Sequence, residues 1–140
     1  MALIGDSGAV YALYDARDRH HAAVARVVGE EHGSIIVPMA ILAEIDYLLR
    51  FRLGTRALFR FLEGISAGGF TLEPFNSQDL AVCRSLLRTY ADLNLGLADA
   101  SVVATAERLG IRRLLTVDER HFRVVRAADG KPFTLLPADA

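Results

Sequence analysis

The 140-residue chain contains one cysteine, Cys83, and one lysine, Lys131; its other basic residues are all arginine. A single cysteine excludes an intrachain disulfide and a thiolate zinc cluster, so any metal must be held by oxygen or imidazole. No stretch approaches the roughly 20 apolar residues of a membrane helix, and the opening MALIGDSG lacks the basic segment of a secretory signal. These absences predict a cytoplasmic protein with no membrane partner. Internal repeats, low-complexity tracts and linker-like segments are also missing, which points to a single domain over 1–140. A net charge of −1 gives no global basic field, so any contact with nucleic acid has to come from local clusters.

What is present is an ordinary globular composition, 52% apolar and 24% charged. At this length one core buries roughly two-thirds of the unfolded surface. ALIGD reads as a buried strand followed by the helix SGAVYALYDA. DRHHAAVARVVGEEHG reads as a second helix, with Asp18 as N-cap and Gly33 just past its end. SIIVP is a second strand, and Pro38 suits the first turn of a long helix, PMAILAEIDYLLRFRLG, closed by Gly54. Thr55 or its neighbour caps a helix through FRFLEGIS, ended by the glycines at 68 and 69. FTLEPF is a third strand, and Ser77 begins the helix SQDLAVCRSLLRTYADL. The apolar helix near Ala98, the strand RRLLTVD, an irregular stretch and the strand FTLLP complete the chain. Strands alternating with helices predict an α/β fold with a parallel sheet covered on both faces, where ligands bind at the carboxyl ends of the strands.

Four acids stand out against this frame. Asp6 ends the first strand and Asp118 ends RLLTVD, so both fall at the carboxyl edge of the sheet. Asp99 shares a helix face with Val102, Val103 and Ala106, and Glu44 lies on a stripe with Ala40, Ile41, Tyr47 and Leu48. Taken singly each has a plainer reading: Asp99 or Asp6 as a helix cap, Asp118 as a turn former, Glu44 paired with an arginine. Taken together, acids that one sheet edge can gather are a donor set for a hard divalent cation such as Mg²⁺ or Mn²⁺. Without an ion such carboxylates raise one another's pKa. The dipole of the helix holding Asp99 contributes about 0.3–1 kcal/mol, too little to explain burial alone.

The residues around the acids divide into supporters and bystanders. Ser7 and Thr116 flank two of the acids, and their hydroxyls are placed to orient water, although capping and strand propensity explain them almost as well. Asp46 points away from Glu44 and pairs with Arg50 at i+4. His20, His21, His32 and His121 lack ligand spacing with the acids and read as exposed, His121 being near Asp118. Arg50, Arg52, Arg56, Arg60 and Arg120, with Arg123, are candidate phosphate contacts; a solvated helix face or a coding bias toward arginine accounts for them equally well.

DSGAVYAL, AILAEIDYLL, LGLADASVVATAERLG and LLTVDERHF, in that order and at this length, resemble a PIN-domain ribonuclease of the VapC toxin type across nearly the whole chain. The resemblance implies a PIN-like three-layer α/β/α sandwich with a central, mainly parallel sheet. It also implies an Mg²⁺- or Mn²⁺-dependent endoribonuclease leaving a 5′-phosphate and a 3′-hydroxyl, a homodimer, and neutralisation by a VapB-type antitoxin. Asp6, Glu44, Asp99 and Asp118 match the family's acidic positions. Gly5 departs from the apolar residue usual before the first acid, which predicts a looser strand end. A non-catalytic PIN-like module that binds RNA or a partner is the alternative. A phosphatase of the haloacid dehalogenase type needs a second Asp where Gly8 stands. A receiver domain needs a lysine after a late strand, and Lys131 lies in the loop DGKP. The apolar surface of the helices from Ala40 to Leu62 exceeds what one small sheet needs, and suits a dimer interface or an antitoxin groove.

Overall fold

A computed structural model describes residues 2–140. Five short strands, β1 (Ile4–Gly5), β2 (Ile35–Pro38), β3 (Phe70–Glu73), β4 (Arg113–Leu115) and β5 (Thr134–Leu136), form one sheet in the order β3-β2-β1-β4-β5, every pairing parallel. The helices are α1 (Ser7–Tyr14), α2 (His21–Glu30), α3 (Leu42–Leu53), α4 (Thr55–Ser66), α5 (Ser77–Thr89), α6 (Leu97–Leu109) and α7 (Glu119–Phe122). The chain steps one way from β1 to β2 to β3, then crosses back to β4 on the other side of β1. Right-handed crossovers therefore put α1–α4 on one face and α5 and α6 on the other, the α/β/α sandwich expected. The reversal between β1 and β4 opens a crevice at their carboxyl ends, where α/β sheets bind ligands. Among the described residues no helix is long and apolar enough to cross a membrane.

The core joins Ile4, Val37, Leu114 and Leu135 of the sheet, with Leu3 just before β1, to Val10, Ile45, Leu49, Phe61, Val102 and Val103 of the helices. Helix α6 is buried all round from Ala100 to Ala106. Its small residues allow close approach to β1, β2 and α5 together. Gly5 is not a loose point: a Cβ there would stand 3.2 Å from Ile35 Cγ2, so the missing side chain lets the sheet and its covering layer close up.

Several boundaries differ from the sequence reading for local reasons. Pro38 closes β2 opposite Glu73, its φ of −60° and ψ of 133° being extended. A 3₁₀ turn, Met39–Ile41, intervenes before α3 begins at Leu42. Asp18 does not cap α2; it accepts the His20 N–H at 2.8 Å in a turn, and the helix runs from His21 only to Glu30. Gly54, at φ +99°, ends α3 and starts α4 in one residue, so Thr55 is already helical and caps nothing. Helix α5 does begin at Ser77, capped by Asn76 in a reciprocal pair with Asp79. The stretch read as irregular after Asp118 contains α7.

Candidate metal centre

The first acid is fixed by the end of its strand. Asp6 follows β1 and caps α1, its Oδ1 accepting the Ala9 N–H at 2.8 Å while its Oδ2 accepts the Thr116 hydroxyl. The same Thr116 oxygen accepts the Asp118 N–H at 3.0 Å, so one threonine beyond β4 ties the two strand-end acids together. Asp118 in turn caps α7, accepting the His121 N–H at 3.0 Å. Capping and membership of the site coexist for both residues. Asp99 is no cap: Gly96 holds that position, and Asp99 sits half-buried in the first turn of α6 at the end of its buried face.

Glu44 reaches the same place by a different route from that expected. The buried stripe of α3 is Ile45 and Leu49, continuing from Ile41 in the preceding turn, whereas Glu44 and Tyr47 are exposed, so the stripe assigned to Glu44 is not the core face. The rotation of α3 instead aims that side toward the carboxyl edge of the sheet, where the Ser7 hydroxyl donates to Glu44. Asp6, Glu44, Asp99 and Asp118 line one cavity of about 460 Å³ with Ser7, Gly8, Tyr47, Leu48, Arg52 and Val117.

The electrostatics are those of anions short of countercharge. Burial pushes Asp6 up to about 7; its bonds from Thr116 and Ala9 oppose the rise, and the charges of Asp99 and Asp118 add to it. Asp99 is also raised, by burial first and then by Asp118, with Glu44 adding and the His121 ring offsetting part. Among the described residues no arginine or lysine forms an ion pair with any of the four. An all-oxygen set of four acids, repelling itself and without an arginine or lysine among them, fits a divalent cation.

His121 does not match the exposed position assigned to it. Its Nδ1 stands 3.1 Å from Asp99 Oδ2 and 2.9 Å from Asp118 Oδ2. The only signal in the sequence was its i+3 spacing from Asp118. His21 is likewise engaged, Nδ1 to the Ala12 carbonyl oxygen at 2.8 Å.

The candidate arginines separate clearly. Arg52 alone lines the acidic cavity, its guanidinium 5.0 Å over the ring of buried Tyr11, whose hydroxyl donates to Asp15. Arg50 is held by Asp46 at 2.7 Å, as its spacing predicted. Arg123 is clamped by Glu119 and Asp139 at 3.0 and 2.6 Å, which removes it as a free phosphate contact. Arg56, Arg60 and Arg120 are exposed and do not line the cavity.

Comparison with known proteins bears on the family and the fold. The model of the PIN domain family matches residues 4–127. Ribonuclease VapC26 of Mycobacterium tuberculosis is 32% identical over 135 residues, 96% of this chain and all of that protein. Among solved structures, Mycobacterium tuberculosis VapC20, described as a sarcin-ricin loop cleaving toxin, superposes with a TM-score of 0.77 at 20% identity, covering 84% of this chain and 90% of that one. FitAcB from Neisseria gonorrhoeae gives a TM-score of 0.61 at 16% identity, covering 84% and 88%. The structural likenesses speak for the fold. With strand-end acids at the sheet's switch point, a family match over most of the length and a near full-length relative, the chain belongs to the PIN-domain family.

Proposed function

We propose that this protein is an Mg²⁺- or Mn²⁺-dependent endoribonuclease and the toxin of a toxin–antitoxin pair. The observation that carries the reading is the convergence of Asp6, Glu44, Asp99 and Asp118, from four separate elements, on one cavity in which, among the described residues, no arginine or lysine forms an ion pair with them. These four would hold the cation. When bound, the cation would neutralise charge on the phosphodiester and lower the pKa of a bound water, making it a better nucleophile. The residues of the chain supply the alignment. Thr116 and the Ala9 N–H fix both oxygens of Asp6, and the Ser7 hydroxyl holds Glu44 across the cavity. Arg52 at the rim offers a planar fork to a phosphate oxygen. Arg56, Arg60 and Arg120 serve the flanking backbone. Hydrolysis adds water across the P–O3′ bond, giving a 5′-phosphate and a 3′-hydroxyl.

A VapB-type antitoxin and a second copy of the chain both require an apolar surface. Exposed Tyr47, Phe51, Phe59 and Leu62 on α3 and α4 offer one, with the rings of Tyr47 and Phe51 4.4 Å apart. Light scattering of the protein alone, then with antitoxin, separates the two uses.

The decisive experiment incubates total RNA with the protein in Mg²⁺, Mn²⁺ or EDTA, beside Asp99→Asn. Cleavage is expected only with metal and only from the parent protein. Cutting indifferent to both would refute the mechanism, and RNA binding without cutting would favour the non-catalytic module.

A further inference from the structure

We infer that His121 is a direct ligand of the cation, through Nδ1, and that it biases the site toward Mn²⁺ over Mg²⁺; this rests on the metal-centre reading above. The geometry of three donor atoms carries it. His121 Nδ1, Asp99 Oδ2 and Asp118 Oδ2 form a compact group, the ring nitrogen at 3.1 and 2.9 Å from the two oxygens. Adjacent ligands of an octahedral ion with bonds of about 2.1 Å stand √2 times that apart, about 3.0 Å. Both spacings are thus those of neighbouring corners around one ion.

The competing account is a simple hydrogen bond or imidazolium ion pair, and the ring's direction is against it. Nδ1 is a buried atom with no hydrogen-bond partner, although two carboxylate oxygens lie within about 3 Å. A proton on Nδ1 would be in line with neither oxygen. An ion shared by all three donors needs no N–H···O alignment. The backbone supports the placement: Asp118 caps α7, and the Asp118-to-His121 bond fixes the first turn of that helix, so residue and ligand partner are set by one turn of chain.

The chemical consequence follows from donor type. Carboxylates and water serve Mg²⁺ and Mn²⁺ alike, whereas imidazole is softer and is used sparingly by Mg²⁺. Adding one nitrogen to an oxygen cage therefore strengthens Mn²⁺ binding more than Mg²⁺ binding.

The test reads binding rather than turnover. Metal-free protein is titrated with Mn²⁺, free ion being followed by electron paramagnetic resonance, with Mg²⁺ competition giving the affinity ratio. Spin-echo modulation of the bound Mn²⁺ reports directly coordinated nitrogen. We expect ¹⁴N modulation in the parent protein that changes to the ¹⁵N pattern on histidine labelling, a readout requiring no variant. In His121→Gln the modulation is lost and the Mn²⁺-over-Mg²⁺ preference falls about tenfold. Mn²⁺ binding that is abolished by Asp99→Asn but carries no histidine modulation would overturn the role of His121 while leaving the metal centre standing. Absence of any Asp99-dependent binding would overturn both.

Discussion

A carboxyl group held at about 7 rather than 3.8 makes the metal-free protein's stability depend on pH in a definite direction. Between those two values the folded state keeps a proton on Asp6 that the unfolded chain has released. The folded state then binds more protons, so stability falls as pH rises through this window. About three units at 1.36 kcal/mol each give a loss of about 4 kcal/mol between pH 4 and pH 7. Glu31 and Asp139, held low by hydrogen bonds from Arg113 and Arg123, act in the opposite sense, Glu31 below 4.5 at the acid edge of this window and Asp139 below 3.8. Asp6→Asn isolates the contribution of one residue. Asparagine keeps the cap on the Ala9 N–H, but its amide nitrogen faces the Thr116 hydroxyl, which loses its acceptor at a cost of about 1 kcal/mol. The variant is therefore expected to be about 1 kcal/mol less stable than the parent at pH 4 and about 3 kcal/mol more stable at pH 8. Urea unfolding in EDTA at pH 4, 5, 6, 7 and 8 measures this, each 2 kcal/mol moving the midpoint by roughly 1 M. Parallel pH profiles for the two proteins, without a crossing, would refute the assignment of burial as the cause.

Asp99→Asn should abolish metal-dependent RNA cleavage while leaving metal-free stability at pH 8 unchanged or higher, as read by the same urea series; a large loss would show that its carboxylate has a structural role instead. Arg52→Gln should weaken RNA binding by the cleavage-dead Asp99→Asn protein and reduce the slope of log affinity against log salt by about one, whereas Arg123→Gln, which loses its bonds to Glu119 and Asp139, should leave that slope unchanged in filter-binding titrations. Gly5→Val forces a side chain into the 3.2 Å gap to Ile35 and should destabilise the fold by about 1–3 kcal/mol, an unchanged unfolding midpoint being the contrary result.

Asp6 was legible because topology alone puts it there, at the end of β1 where the parallel sheet reverses toward β4; Asp118 lies three residues beyond β4, and its N–H bond to Thr116, not a strand end, brings it to the same crevice. Asp99 was legible from periodicity, since Val102, Val103 and Ala106 are fully buried and carry it to the end of their face. Glu44 was reached for a wrong reason. The apolar residues of α3 outnumber those its core face needs, so the pattern could not tell the buried stripe of Ile45 and Leu49 from the exposed flank of Tyr47. The same ambiguity hid the arginines, because Arg50 and Arg52, two residues apart, stand on nearly opposite sides of α3 and its rotation decides which of them faces the acids. His121 escaped because the reading ran the strand straight into a loop, and a four-residue helix begun by its own capping aspartate leaves no hydrophobic period to detect.

Helix α6, closed in on every side by its run of small residues, gives Asp99 a different kinetic character from Glu44. The turns that follow Asp99, Ala100 to Ala106, are buried on every side and open only with the core around them, while Glu44 rides the open flank of α3, tied to the site by the Ser7 hydroxyl. The acidic crevice therefore has one immovable wall and one adjustable wall. Whatever settles on the exposed side of α3 gains a lever on Glu44, and through it on the crevice, without having to enter the crevice at all.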